Sequence, residues 1–261
     1  MTNTAHGNVM IENTTPAYGT ATWRIGDSTY VAPLDARLLA EDIYTADPVR
    51  VGNAYPRQRN LHGWYWMAST GTHVWHESLL ERDSLMWLDY NADIVAIAAQ
   101  PMMLTATTGA IHYPDFLALD ATGVQTVYDI KPLARVDAKA RAQFEWTRDV
   151  CEQVGWNYRV LTELPIQEHV NLTWLAQFRQ TPNHPGLDAA EELLRAVEPD
   201  WTIADAVTRI PAASTPRARS HVFHLLWTRA LDCDLSERLS DTTPIHLGVR
   251  AHRKDLTDAL A

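Results

Sequence analysis

Only two cysteines, Cys151 and Cys233, occur in 261 residues. That is too few for a disulfide-stapled scaffold or a cysteine-rich zinc site, so both are expected as free, buried thiols. Long apolar runs are missing too: no stretch reaches the roughly 18 residues of a membrane-spanning helix. The polar start, MTNTAHGNVMIENTT, lacks the basic and then apolar segments of a secretory signal. A cytoplasmic protein with no membrane partner is therefore expected. Basic charge is scarce as well, with 22 Lys and Arg against 32 Asp and Glu and a formal net charge of −10. Proteins that grip nucleic acid by general phosphate neutralisation carry a surplus of the opposite sign. The balance argues against that mode. It does not exclude acids that hold divalent ions, with any nucleic acid brought by something else. The eleven histidines are scattered. His221 and His224 share a helix face without a third ligand nearby, which favours a core or solvated role over zinc.

What is present describes an ordinary globular chain, 46% hydrophobic and 21% charged, long enough for one large domain or two modest ones. The most informative stretch is AIHYPDFLALDATGVQTVYDIKP, residues 110–132. Two apolar-rich strands, Ala110 to Leu119 and Val124 to Ile130, flank the turn Asp120-Ala121-Thr122-Gly123, which predicts a β-hairpin. Folding about Thr122 opposes residues whose numbers sum to about 244, and Asp115 with Asp129 is such a pair. Directly opposed Cβ atoms lie about 4.5–5.5 Å apart, where like charges destabilise a sheet unless a cation lies between them. Lys131 follows Asp129 by two residues and shares its face by strand alternation. A solvated polar face on an edge hairpin would explain the same residues. Against that, Phe116, Leu117, Leu119, Val127 and Ile130 crowd these strands and point to a buried sheet, where unpaired charge is costly. A one-residue slip in register would send one carboxylate to the other face.

Upstream, Glu77 to Tyr90 carries Leu80, Leu85, Trp87 and Leu88 at helical spacings. Glu81 falls on the inward stripe, with Arg82, Asp83 and Asp89 free to meet water, and Glu77 is the competing candidate one turn earlier. Trp64, Tyr65 and Trp66 precede a turn at Gly71 and read as core rather than as a stacking platform. Ile94 to Ile97 and Pro101 to Thr105 read as a strand or one bent strand. Asp137 to Val154 reads as an amphipathic helix ended by Gly155, and Trp156 to Leu161 as a further strand. The order is helix, three strands, helix, strand: an α/β core whose last strand returns beside the hairpin through a helical crossover. Beyond Pro165, short proline-separated helices are followed by LDCDLSERLSDTTPIHLG, two short strands. This predicts a mostly helical, winged-helix-like unit whose Arg217, Arg219, Arg229, Arg250, Arg253 and Lys254 can meet phosphates, an acidic partner or simply water. Three regions are expected: an N-terminal extension over 1–56, a catalytic domain over 57–168 and an interaction domain over 169–261.

Pro114-Asp115 followed by Asp129-Ile130-Lys131 matches the PD-(D/E)xK signature of the restriction-endonuclease-like nucleases. Together with HESLLERDSLMWLDYNADIVAIAAQP before it, the run over roughly residues 57–165 resembles the nuclease domain of the TnsA-like endonuclease subunits of heteromeric transposases. The resemblance implies a restriction-endonuclease-like core that hydrolyses DNA at the 5′ ends of a mobile element with Mg²⁺ or Mn²⁺. It implies two partners, a DDE-type transposase and an AAA-type ATPase. Position by position, Glu81 matches the helical glutamate, Asp115 the acid of PD, Asp129 the third position and Lys131 the closing lysine. The backbone carbonyl of Ile130 would be a further metal ligand. Gln100-Pro101 is also similar to a family feature, for which a structural role beside the sheet is expected. The alternatives are a stand-alone restriction or defence nuclease and a non-catalytic module that recruits partners.

Overall fold

A computed structural model describes residues 18–50 and 61–251. Most of the expected N-terminal extension's first third, the segment 51–60, Arg253 and Lys254 lie outside the described residues. The architecture is mixed α/β, as the order of elements predicts. Strands β1 (Thr20–Ile25) and β2 (Ser28–Pro33) are followed by the hairpin β3 (Gly63–Met67) and β4 (Thr72–His76), then helix α1 (Leu79–Asn91). Next come β5 (Ile94–Ala99), β6 (Met102–Thr105), β7 (Ile111–His112), β8 (Phe116–Asp120), β9 (Gln125–Ile130), α2 (Ala138–Val154) and β10 (Asn157–Leu161). The remainder holds α3 (Ile166–Leu175), α4 (Leu187–Ala196), α5 (Ile203–Arg209), α6 (Thr215–Trp227) and the short pair β11 (Leu231–Asp232) and β12 (His246–Leu247).

The central sheet has the order β10-β9-β8-β5. The β8–β9 hairpin pairs Phe116 with Tyr128 and Leu117 with Val127, the register anticipated from the sequence. Its turn is locked by Asp120, whose carboxylate accepts from the Thr122 and Val124 amides, while Gly123 takes φ +87°. β10 lies parallel to β9, and α2 makes the crossover. α2 begins where the Asp137 carboxylate accepts from the Ala140 amide and ends at Gly155 with φ +96°. There an added Cβ would come within 2.9 Å of a Leu39 methyl.

One expectation needs correcting. The first hairpin strand does not run unbroken from Ala110 to Leu119: β7 pairs with β6 in a second sheet of order β2-β1-β6-β7, and β8 starts only after Tyr113-Pro114-Asp115. Pro114 has no N–H to give a ladder, so the chain changes sheets there. β5 and β6 separate in the same way at Gln100, which adopts φ +45° ahead of Pro101. The Gln100 amide donates to the Asp115 carbonyl at 2.8 Å, tying the two bends together. This is the structural role expected of Gln100 beside the sheet.

The central sheet is apolar on both faces. Leu117 and Val127 pack with Val150, Cys151 and Val154 of α2 and with Trp23, Leu38 and Ile43 from the N-terminal strands and turns. Phe116, Ala118 and Tyr128 pack on the other side with Leu85 and Leu88 of α1, in one core shared with Leu172, Leu193, Ile203 and Val222 of the C-terminal helices. Cys151 and Cys233 are free and buried, as expected. No helix among the described residues is long and apolar enough to cross a membrane.

Two side chains upstream sit differently from expectation. In the β3–β4 hairpin Tyr65 is core, but Trp64 on the opposite face is 63% exposed. Asp89, expected in water, is buried at 3% exposure because α1 is covered by that hairpin as well as by the sheet. Its carboxylate accepts from the Ala68 and Ser69 amides at 3.0 and 2.9 Å and from the Tyr65 hydroxyl at 3.1 Å. Asp89→Ala strands these donors. Its urea midpoint should fall by the equivalent of about 3 kcal/mol with an unchanged slope.

Candidate active site

Asp115 sits at the bend between β7 and β8. Its amide donates to the Tyr128 carbonyl at 3.1 Å, and one carboxylate oxygen accepts from the Ile130 amide at 2.6 Å. The other has no hydrogen-bond partner among the described residues. Asp115 keeps some accessible surface, yet its carboxyl is pushed well above the usual carboxylate range. Burial is the largest cause, followed by the charges of Asp129, Glu81 and Glu77, against which the Ile130 N–H works. The charges of the other three acids named from the sequence thus all bear on Asp115.

Their other contacts differ. Glu81 is the third residue of α1. Its carboxylate accepts from the Glu77 amide at 2.7 Å and the Ser78 hydroxyl at 2.8 Å, while the Ser78 oxygen accepts from the Glu81 amide at 3.2 Å. Ser78 is thus the N-cap of α1, and the Glu81 carboxylate reaches back past it to the Glu77 amide, one residue beyond the contact of a capping box. Burial raises the Glu81 carboxyl above its ordinary value, those hydrogen bonds lower it, and the Glu77 charge adds to the rise. Glu77 is paired with Arg50 at 3.0 Å, and the Arg50 guanidinium lies 5.4 Å from the Tyr113 ring centre.

Asp129 is 3% exposed. The His112 Nε2 lies 2.9 and 3.0 Å from its two oxygens, and the Tyr158 hydroxyl donates to one of them at 2.6 Å. Ile130 closes β9, its amide on Asp115. Lys131 follows, with its amide donating to the Leu161 carbonyl at 2.9 Å. The Lys131 side chain is partly exposed and has no ion pair among the described residues.

His112, Tyr158, Gln143 and Arg50 did not emerge from the sequence. His112 stands three residues before Asp115, but its partner Asp129 lies across two sheets. Of the C-terminal basic residues, Arg219, Arg229 and Arg250 are paired with Asp241, Asp232 and Asp93, and Arg217 donates to the Pro182 carbonyl.

No known protein-family model matches this chain. No curated protein matches it either.

Carboxylate oxygens are the donors that Mg²⁺ and Mn²⁺ prefer. Asp115 and Asp129 fit such an ion by donor chemistry, since both offer carboxylate oxygens and the Asp129 charge helps to raise the Asp115 carboxyl. Glu81, occupied by its helix cap, contributes negative charge rather than a free ligand. Among the described residues no three His, Cys, Asp or Glu side chains form a ready-made metal cage.

Proposed function

We propose that this chain is a metal-dependent DNA endonuclease of the TnsA-like kind, hydrolysing phosphodiester bonds as one subunit of a heteromeric transposase in the cytoplasm. One observation carries the reading. A half-buried carboxyl at the Pro114-Asp115 bend bears the charge of three further acids, with no basic side chain paired to it among the described residues. A divalent cation relieves that repulsion and, when bound, supplies Lewis acidity to a phosphate oxygen and acidity to a bound water. Asp115 and Asp129 would hold it, with the Ile130 carbonyl available as a third oxygen. Lys131, at the open end of β9, would orient the attacking water and offset charge on the phosphate.

The parallel β10 reached through α2, beside a hairpin that carries Asp129 and is entered through Asp115, is in keeping with a restriction-endonuclease-like core. Helices followed by the short β11–β12 pair are in keeping with a winged-helix-like unit. The net charge of −10 and the internally paired arginines favour DNA delivery by partners, the DDE-type transposase and AAA-type ATPase of the resemblance, over a stand-alone nuclease. A non-catalytic, partner-recruiting role is favoured by the saturated oxygens of Glu81 and Asp129, and calorimetry with Mn²⁺ separates the two, since that role requires no ion.

The test is nicking of DNA carrying the element ends, with Mn²⁺ or Mg²⁺ and the partner subunits present. Lys131→Ala should slow nicking about 10²–10⁴-fold, the range for loss of a positioned proton-transfer group. Its melting temperature should match that of the wild type. Equal rates would remove Lys131 from the mechanism.

A further inference from the structure

Asp129 is held by a set of elements separate from those that bring the other acids. His112 comes from β7 in the second sheet, Tyr158 from β10 and Gln143 from α2; none belongs to α1 or β8. The Gln143 amide nitrogen lies 2.6 Å from the His112 Nδ1. With the amide nitrogen on this side, Nδ1 carries the lone pair and the proton sits on Nε2, aimed between the two Asp129 oxygens at 2.9 and 3.0 Å. With the amide oxygen there instead, a doubly protonated ring would still donate Nε2–H to Asp129, so that bond is common to both arrangements. The Tyr158 hydroxyl adds a second donor at 2.6 Å. His112 and Asp129 are both buried, so neither bond is diluted by solvent.

We infer that His112, backed by Gln143, acts with Tyr158 as a pair of positioning residues that hold the Asp129 carboxylate in a single orientation for a divalent ion. This rests on the nuclease reading. Partners of this kind, hydrogen-bonded to a ligand rather than to the metal, fix ligand orientation, and losing one costs about 10–100-fold in metal affinity. Through β7 the clamp also ties the site to the β2-β1-β6-β7 sheet, which makes the N-terminal strands part of its scaffold.

The experiment is calorimetric titration of the metal-free full chain with Mn²⁺, without DNA, for the wild type, His112→Leu, His112→Gln and Tyr158→Phe. A parallel long-range ¹H–¹⁵N NMR spectrum reads the His112 tautomer. His112→Leu should bind Mn²⁺ about 10–100-fold more weakly and Tyr158→Phe about 10-fold more weakly. His112→Gln, which can place an amide N–H near the position of Nε2, should recover most of the affinity, an outcome that lost packing alone would not produce. Should His112→Leu fail to fold, His112→Gln and Tyr158→Phe carry the comparison. An Nε2 that carries no proton in the wild type, or wild-type affinity in both His112→Leu and Tyr158→Phe, overturns the inference. Wild-type protein that binds no Mn²⁺ overturns the nuclease reading together with it, whereas normal wild-type binding with unaffected variants overturns this inference alone.

Discussion

Asp115→Asn is expected to make the metal-free protein more stable near neutral pH while removing Mn²⁺ binding and DNA cleavage. Asparagine keeps an oxygen that can accept the Ile130 N–H and discards the charge that burial, Asp129, Glu81 and Glu77 all oppose. The folded-state pKa lies above the unfolded value of 3.8, so the folded chain holds this proton more tightly. The stabilisation from that proton is complete below the unfolded pKa and is lost as pH rises through the folded one. The melting temperature of the variant should therefore match that of the wild type in acid and exceed it increasingly across that window. In activity, loss of a direct ligand should exceed the roughly 10–100-fold cost of losing only a partner of a ligand. Melting curves at a series of pH values, paired with Mn²⁺ titrations, read both effects. A variant that is less stable than the wild type at neutral pH would show that the Asp115 carboxylate is structural. That result would undercut the cation-binding argument at its source.

The second large effect lies in the C-terminal helices. His224 on α6 is 1% exposed, its Nδ1 bonded to the Phe178 carbonyl at 2.7 Å and its Nε2 without a partner. The His184 ring is 5.3 Å away and nearly perpendicular, its Nδ1 accepting from the Gly186 amide and its Nε2 likewise unpartnered. His221, one turn earlier on α6, bonds the Asn183 carbonyl. Of the two roles expected for His221 and His224, core or solvated, both take the core one. Protonation would place a charge on a buried nitrogen with nothing to receive it. The His224 pKa is accordingly lowered to about 4, by burial first and then by the neighbouring His184 and His221, against the Phe178 bond. His184 is lowered for the same leading reason.

In acid the unfolded chain takes up these protons before the folded one does. Stability is therefore full above the unfolded value of 6.5 and falls as pH drops from there towards 4. His224 alone accounts for about 3 kcal/mol over that window, at about 1.4 kcal/mol per pH unit of separation. Urea midpoints at pH 7 and pH 4.5 should differ accordingly, and the difference should shrink in His224→Phe. A wild-type midpoint that does not move between these pH values would refute the prediction.

Local chemistry was legible in the chain. The hairpin register followed from apolar strands about an Asp-x-x-Gly turn, and the bounds of α2 from Asp137 and Gly155. The return of β10 beside the hairpin followed from a single helical crossover between strands of one sheet. Each of these depends on residues within a turn or a strand's length of each other, where backbone sterics and side-chain period leave few options. The break at Pro114 could have been read the same way. The apolar run from Ala110 to Leu119 hid it.

Asp89 and His112 could not be read so. Whether Asp89 meets water or the hairpin turn depends on what covers α1, and that cover is built from residues 63–76 folding back over it. His112 finds Asp129 only because two sheets meet at the Gln100 and Pro114 bends. Which residues form the β8–β9 hairpin and where α2 begins and ends was settled by the sequence alone. Which oxygens are left free, which are capped and which are clamped was decided by the tertiary structure, since hydrogen-bond partners across sheets depend on distances that no spacing along the chain encodes.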